Sequence, residues 1–163
     1  VTPTTPEHWT WRDGPVEGGP AVVVDIDGVL SDAASRQHYL EAPQRDWRAF
    51  FDACGDDPVI EEMKVLLDLL DSELRVVLLT ARPGRIHHLT EAWLRRYRIR
   101  WDLLLMRPWG DYDFARDFKH SSVWELRDFG FDLRLAIEDD RRNVAMFRSE
   151  RIPCIYFHSG YYD

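Results

Sequence analysis

Two aspartates spaced by one residue, Asp25 and Asp27, follow an apolar run from Ala21 to Val24 and lead straight into Gly28, in AVVVDIDGVL. One carboxylate after a buried strand is an ordinary turn residue. Two side by side repel each other and lose hydration, so the pair requires a cation or a proton to join it. Groups able to answer that need come later, each after another apolar run. RVVLLTAR ends in Thr80, Ala81 and Arg82, and LRLAIEDD ends in Glu138, Asp139 and Asp140. Lys119 lies between them in RDFKHSS, where a helix is expected to begin. Of the 21 lysines and arginines only Lys64 and Lys119 are lysines, so arginine supplies the ordinary positive surface and a lysine here stands out.

In this order, and at strand ends, Asp25-x-Asp27, Thr80, Lys119 and the Asp139/Asp140 pair resemble the four motifs of the haloacid dehalogenase superfamily of aspartyl-phosphate phosphohydrolases. The resemblance implies catalytic roles for Asp25, Asp27, Thr80 and Lys119. Asp25 would be the nucleophile that attacks phosphorus and forms an aspartyl-phosphate. Asp27 would protonate the leaving alkoxide and later activate water, so it is expected to hold a proton near neutral pH. Thr80 would donate its hydroxyl to a phosphoryl oxygen, and Lys119 would offset charge on Asp25 and phosphate. Mg²⁺ is the implied cofactor, held by Asp25, the Asp27 carbonyl and Asp139, with Asp140 assisting by holding Lys119 or a metal-bound water. The triple Glu138-Asp139-Asp140 leaves a one-residue ambiguity. Val144 resolves it in favour of Asp139 as the first member of a DDRxxV pattern.

Three arginines narrow the substrate class. Arg36, Arg82 and Arg107, together with Tyr39 and the closing stretch LAIEDDRRNVAMFRSERIPCIYFHSG, match positions in the phosphatase domain of phage-type polynucleotide kinase-phosphatases over about residues 20 to 160. This resemblance implies removal of a 3′-terminal phosphate from DNA or RNA, with the arginines binding phosphate bidentately. There are departures. Val29 stands where threonine is commoner, and Ala115 stands where the phage-type domain has an aspartate, which leaves Asp111, Asp113 or Asp117 to support the lysine or substrate. No G-x-x-x-x-G-K-[ST] stretch is present, so 5′ phosphorylation is not expected of this chain and a separate kinase or ligase is an expected partner.

The elements that must position these groups alternate. Strands are expected at 21–24, 75–79, 101–106, 134–137 and 154–157. Helices are expected over 46–53, after Pro58 with Ile60, Met63, Leu66, Leu67 and Leu70 on one face, and after Gly84 with Ile86, Leu89, Trp93, Leu94 and Tyr97 inward. Two more are expected around Val123 and Leu126, ending near Gly130, and around Val144 and Phe147. Such alternation predicts an α/β fold, a Rossmann-like haloacid dehalogenase core with a parallel sheet covered by helices on both faces. Residues 1–20, rich in Pro, Gly and Thr, read as a tail or linker before a phosphatase domain spanning 21–163. The gaps from Asp27 to Thr80 and from Thr80 to Lys119 leave no room for a large cap domain. Residues 29–57 would be at most a small lid, and an open site suits the end of a large substrate.

Composition bounds the rest. The 163 residues are 45% hydrophobic, enough for one cored domain, and contain no run able to span a bilayer, so a cytoplasmic protein without a membrane partner is expected. A net charge of −8 argues against broad non-specific grip on nucleic acid. The basic cluster LRRYRIR, with Trp93, Tyr97 and Trp101 interleaved, reads either as a solvated helix face or as a local track for a polyanion. Cys54 and Cys154 suggest neither a disulfide framework nor a metal site, and His87 and His88, being adjacent, point to different sides of a helix. A nucleotidase or other small-molecule phosphatase would share every catalytic residue. A non-catalytic module that binds nucleic-acid ends is a third reading, disfavoured by two intact aspartates.

Overall fold

Apolar runs of four to six residues with alternate side chains facing opposite ways build the centre of the molecule. The structure, a computed structural model, describes residues 3–41, 43–108 and 115–162. Strands β1 (Trp9–Trp11), β2 (Gly19–Val24), β3 (Arg75–Pro83), β4 (Leu103–Arg107), β5 (Phe131–Glu138) and β6 (Cys154–Tyr156) form one sheet in the order β1-β4-β3-β2-β5-β6. All neighbours are parallel except β1, which pairs antiparallel with β4. Helices α1 (Trp47–Asp52), α2 (Glu61–Leu69), α3 (His87–Arg96), α4 (Ala115–Phe129) and α5 (Arg141–Ser149) cover the two faces.

Period-two alternation decides which helix each strand residue meets. Val22, Val24, Val76, Leu78 and Leu104 pack with Phe50, Phe51, Met63, Leu67, Trp93 and Leu94 on the α1–α2–α3 side. Ala21, Val23, Val77, Leu79 and Leu105 pack with Phe118, Val123, Leu126, Val144 and Phe147 on the α4–α5 side. The α/β expectation holds, with strands slightly longer than the apolar runs suggest. Among the described residues, 29–57 contain only a 3-10 helix at Ala34–Leu40, α1, and a turn at Cys54–Asp56. Phe50 and Phe51 draw that stretch down into the core, so it forms no large cap.

The expected tail contains a strand. Trp9 is buried, and its ring lies 5.4 Å from Phe129 and 5.9 Å from Trp11, which itself lies 5.4 Å from Phe129. Three residues are too few for sequence alternation to register, but two indoles against two phenylalanines hold them on the edge of β4. The basic cluster is mainly structural. Trp93 and Trp101 are buried, Arg96 donates to the Gly55 carbonyl, and Arg100 donates to the carbonyls of Leu67, Leu70, Asp71 and Leu74.

The chain runs from β2 through β3 to β4 on one side, then returns to place β5 on the other side of β2. That reversal opens a crevice beyond the carboxyl ends of β2 and β5, the usual ligand position in such sheets. Val24 pairs with both Leu78 and Ile137, so Asp25 and Glu138 emerge beside each other at the crevice, and Thr80 lies two residues past Leu78 on β3, where its register with β4 shifts.

Candidate active site

Asp25 sits at the tip of β2, buried, with Oδ1 accepting the Ile26 N–H at 2.8 Å and lying 3.0 Å from Lys119 Nζ. Lys119 comes from inside α4, four residues past its start, and Nζ also donates to Glu138 Oε2 at 2.7 Å. Glu138 Oε1 in turn accepts the N–H groups of Asp139 and Asp140 at 3.1 and 3.2 Å. Burial alone would depress the Lys119 pKa, but Asp25 and Glu138 outweigh it and hold the ammonium charged. Burial, followed by the charges of Glu138 and Asp139, pushes Asp25 well above the usual carboxylate range despite Lys119.

Asp139 is buried, and among the described residues neither of its carboxylate oxygens has a hydrogen-bond partner. Burial and Glu138 raise its pKa as well. Three buried carboxylates thus share one ammonium, and one of them has no donor, a combination costing several kcal/mol unless further positive charge enters. Ligand oxygens of Asp25, Glu138 and Asp139 all lie within 4.8 Å of one another, a donor set of hard oxygens that fits a divalent cation. Gly28 makes the cluster possible. Its φ is +82°, and a Cβ there would collide with Asp139 Oδ2.

This set differs from the expected one. Asp140 turns away to cap α5, accepting the Arg142 N–H at 2.9 Å and pairing with Arg142 Nη2 at 2.9 Å, and Glu138 is the residue that holds Lys119. A helix N-cap accepts the first free N–H groups, which claims the second aspartate of the pair.

Asp27 lies outside the acid cluster. Arg82 approaches both its oxygens, Nε at 3.1 and 3.2 Å and Nη2 at 2.7 Å, while Arg36 Nη2 reaches Oδ1 at 2.5 Å. Burial would raise its pKa, but the two guanidiniums hold it far below the usual carboxylate range. The two aspartates therefore have different surroundings, two arginines at Asp27 and acids with one lysine at Asp25.

Arg36 and Arg82 are fully buried behind Asp27 rather than presented to solvent. Arg36 also binds Asp57 through Nε at 2.9 Å and Nη2 at 2.6 Å, donates to the Phe50 carbonyl, and lies 4.3 Å from the Phe50 ring centroid. Arg82 adds the hydroxyls of Thr90 and Ser31. The two arginines expected to bind substrate phosphate thus meet Asp27, Asp57, the Phe50 carbonyl, Thr90 and Ser31 within the protein. Arg107, at the end of β4, is half-buried and its Nε donates to the Ala81 carbonyl at 3.2 Å. Thr80 is buried, and its Oγ1 accepts the Arg82 N–H at 3.1 Å.

Asp57 is the residue sequence reading misses. It joins Arg36, Ser31 and Arg82, and its carbonyl accepts from Trp93 Nε1 at 2.8 Å and from the Tyr97 hydroxyl. An aspartate before proline in CGDDPVI reads as a turn, and nothing local marks it as the counter-charge of two distant arginines. Asp117 lies in the first turn of α4, whereas Asp111 and Asp113 fall outside the described residues.

A mostly parallel sheet whose switch point carries an aspartate on a lysine, a threonine and a buried acidic cluster defines a phosphatase of the haloacid dehalogenase fold. The fold is shared with a hydrolase of the haloacid dehalogenase-like family from Streptococcus pneumoniae, at TM-score 0.57 and 13% identity over 86% of this chain and 87% of that one. The chain belongs to the family described as the polynucleotide kinase PNKP phosphatase domain, which matches residues 19–162. Among solved structures it is similar to chains of a Pnkp1/Rnl/Hen1 RNA repair complex, at TM-score 0.74 and 26% identity over 93% of this chain and 46% of that one. A second Pnkp1/Rnl/Hen1 complex gives TM-score 0.72 and 25% identity over 93% of this chain and 50% of that one. The chain thus spans about half the length of those two. No curated protein matches it. Among the described residues no helix is long and apolar enough to cross a membrane.

Proposed function

We propose that this phosphatase removes the 3′-terminal phosphate of a nucleic acid, with RNA the favoured substrate, through an aspartyl-phosphate on Asp25. The observation that carries the reading is the division between the two aspartates: Asp25 lies with Lys119 beside the cation seat, whereas Asp27 is held apart by two arginines. Family membership and similarity to chains of an RNA repair complex support the nucleic-acid substrate.

Phosphate-monoester hydrolysis is among the slowest uncatalysed reactions, with enzymic accelerations reaching about 10²¹-fold, so the site must act mainly by positioning and by stabilising charge. Asp25 is the nucleophile: one of its oxygens bonds to phosphorus as the bond from phosphorus to O3′ breaks, and O3′ leaves with the electron pair. Lys119 offsets charge on Asp25 and on the phosphoryl group. Thr80 donates its hydroxyl to a phosphoryl oxygen, and Arg107, at the end of β4, binds substrate phosphate. A proton carried by Asp27 passes to O3′, and the regenerated carboxylate takes one from water as that water attacks phosphorus, freeing Asp25 and inorganic phosphate. The arginines keep Asp27 ionised in the resting site. The phosphate dianion arriving beside it brings the negative charge that favours the protonated form in the first step.

Asp25, Glu138 and Asp139 would hold the cation, with Mg²⁺ the ion we assign. When bound, it supplies positive charge to the phosphoryl oxygens and to ionised Asp25. Arg36 and Arg82 position Asp27. The product 3′ hydroxyl is what an end-joining reaction requires, so a separate kinase or ligase is the expected partner.

The test is phosphate release from matched 3′-phosphorylated RNA, DNA and mononucleotides in the presence of Mg²⁺, by the wild type and by Asp25→Asn. We expect oligonucleotide preference and loss of turnover in the variant with the fold retained. Preference for mononucleotides would make the protein a nucleotidase, and substantial activity in Asp25→Asn would remove the covalent step.

A further inference from the structure

The stretch after β6 is strapped across the mouth of the site, although no catalytic group comes from it. Phe157 N–H donates to the Glu138 carbonyl at 2.9 Å, so the chain leaves β6 beside the acid cluster. Ser159 lies against the DxDG turn, its Cβ 3.1 Å from where a Gly28 side chain would begin. Tyr161 N–H donates to Ser159 Oγ at 3.2 Å, and the Tyr161 hydroxyl donates to Asp32 Oδ1 at 3.1 Å. That oxygen also accepts the Ala34 N–H, so Asp32 is itself held in place. These bonds tie the segment to both rims of the crevice, the β5 edge and the loop that follows Asp27.

Tyr162 comes next, an exposed residue at 52% while the tyrosine before it is anchored. The Arg142 guanidinium lies 6.0 Å from its ring centroid and is clamped onto Asp140 at 2.9 Å, directly beside Asp139. Through Arg142 and Asp140 the ring is placed next to the turn that carries Asp139. A flat ring thus stands at the edge of the phosphate site, backed by a cation and fastened through its neighbour, with open surface remaining.

We propose that Tyr162 is the stacking surface for the base of the nucleotide whose terminal phosphate is removed, held at the mouth of the site by the Tyr161–Asp32 hydrogen bond. The assignment rests on the nucleic-acid reading above. In a nucleotide end the groups next to phosphorus are a sugar and then a base, and the π face of every base can stack on an aromatic ring regardless of sequence. Arg142 on the ring strengthens such a platform. Tyr162 is a specificity residue and takes no part in bond making.

The test compares 3′-phosphorylated oligonucleotides that end either in a normal nucleotide or in an abasic sugar, with glycerol phosphate as a base-free small ester. For the wild type we expect KM for the abasic end to exceed that for the base-bearing end by roughly tenfold, the scale of one base stacked on one ring. Tyr162→Ala should bring that ratio close to one by raising KM for the base-bearing end, whereas Tyr162→Phe should keep the wild-type ratio. An unchanged ratio in Tyr162→Ala overturns the assignment, as does a ratio lost equally in Tyr162→Phe. A wild type that hydrolyses glycerol phosphate but neither oligonucleotide end overturns the nucleic-acid reading itself.

Discussion

Arg82 grips Asp27 through both carboxylate oxygens from a position with no solvent exposure, so the charge of the second aspartate is set by a residue on another strand. Removing the guanidinium leaves a buried carboxylate with only Arg36 to answer it, and we expect Arg82→Ala to lose about 3–5 kcal/mol of stability. Arg82→Lys keeps the charge and loses the fork, so it should fold but turn over at least about tenfold more slowly. Chemical denaturation and steady-state kinetics check the two halves.

The same clamp predicts an acid sensitivity. The folded-state pKa of Asp27 is depressed, so its contribution to stability is complete above the unfolded value, about 3.9, and is lost as pH falls through that range toward the folded value. Unfolding free energy measured below about pH 4 should therefore fall less steeply in Arg82→Ala than in the wild type.

Asp57 supports the clamp without reaching the crevice. Asp57→Asn keeps the shape but removes the charge that balances Arg36, so both arginines should draw on Asp27 and shift it. We expect turnover to drop about tenfold with KM little changed, because the role is to position a group acting in the chemical step. A KM effect without a kcat effect would place Asp57 in substrate binding instead.

Asp139 carries two buried oxygens without donors beside Asp25 and Glu138. Neutralising it should stabilise the metal-free protein, since two carboxylates would then share the Lys119 ammonium. Asp139→Asn should melt higher than the wild type in chelator, and Mg²⁺ should raise the melting temperature of the wild type but not of the variant. Equal Mg²⁺ shifts in both proteins would exclude Asp139 from the cation seat.

Two helices end on arginine where glycine is usual. Arg98 (φ +53°) and Arg151 (φ +60°) follow α3 and α5, and the next N–H in each case donates back to the helix, Ile99 to the Leu94 carbonyl and Ile152 to the Phe147 carbonyl, both at 3.0 Å. Left-handed backbone costs a non-glycine residue about 1–2 kcal/mol. Arg98→Gly should therefore stabilise the protein by about 1 kcal/mol, measured by denaturant melts, with activity unchanged.

From sequence alone, the apolar runs and the polar residues closing them determine the five parallel strands of the sheet and the positions of Asp25, Thr80, Lys119 and Asp139. Strand and helix periodicity are local, and parallel sheets gather strand ends at one edge, so motifs read separately converge in space. Tertiary structure alone decided the rest. Trp9–Trp11 is a strand because distant aromatics receive it. Asp140 gives way to Glu138 because the start of a helix claims the aspartate. The charge states of the two aspartates, and the use of Arg36 and Arg82 inside the protein with Asp57, follow from which buried charges meet across several elements. Coulomb energy depends on distance and burial, and neither is written in the spacing of residues along a chain.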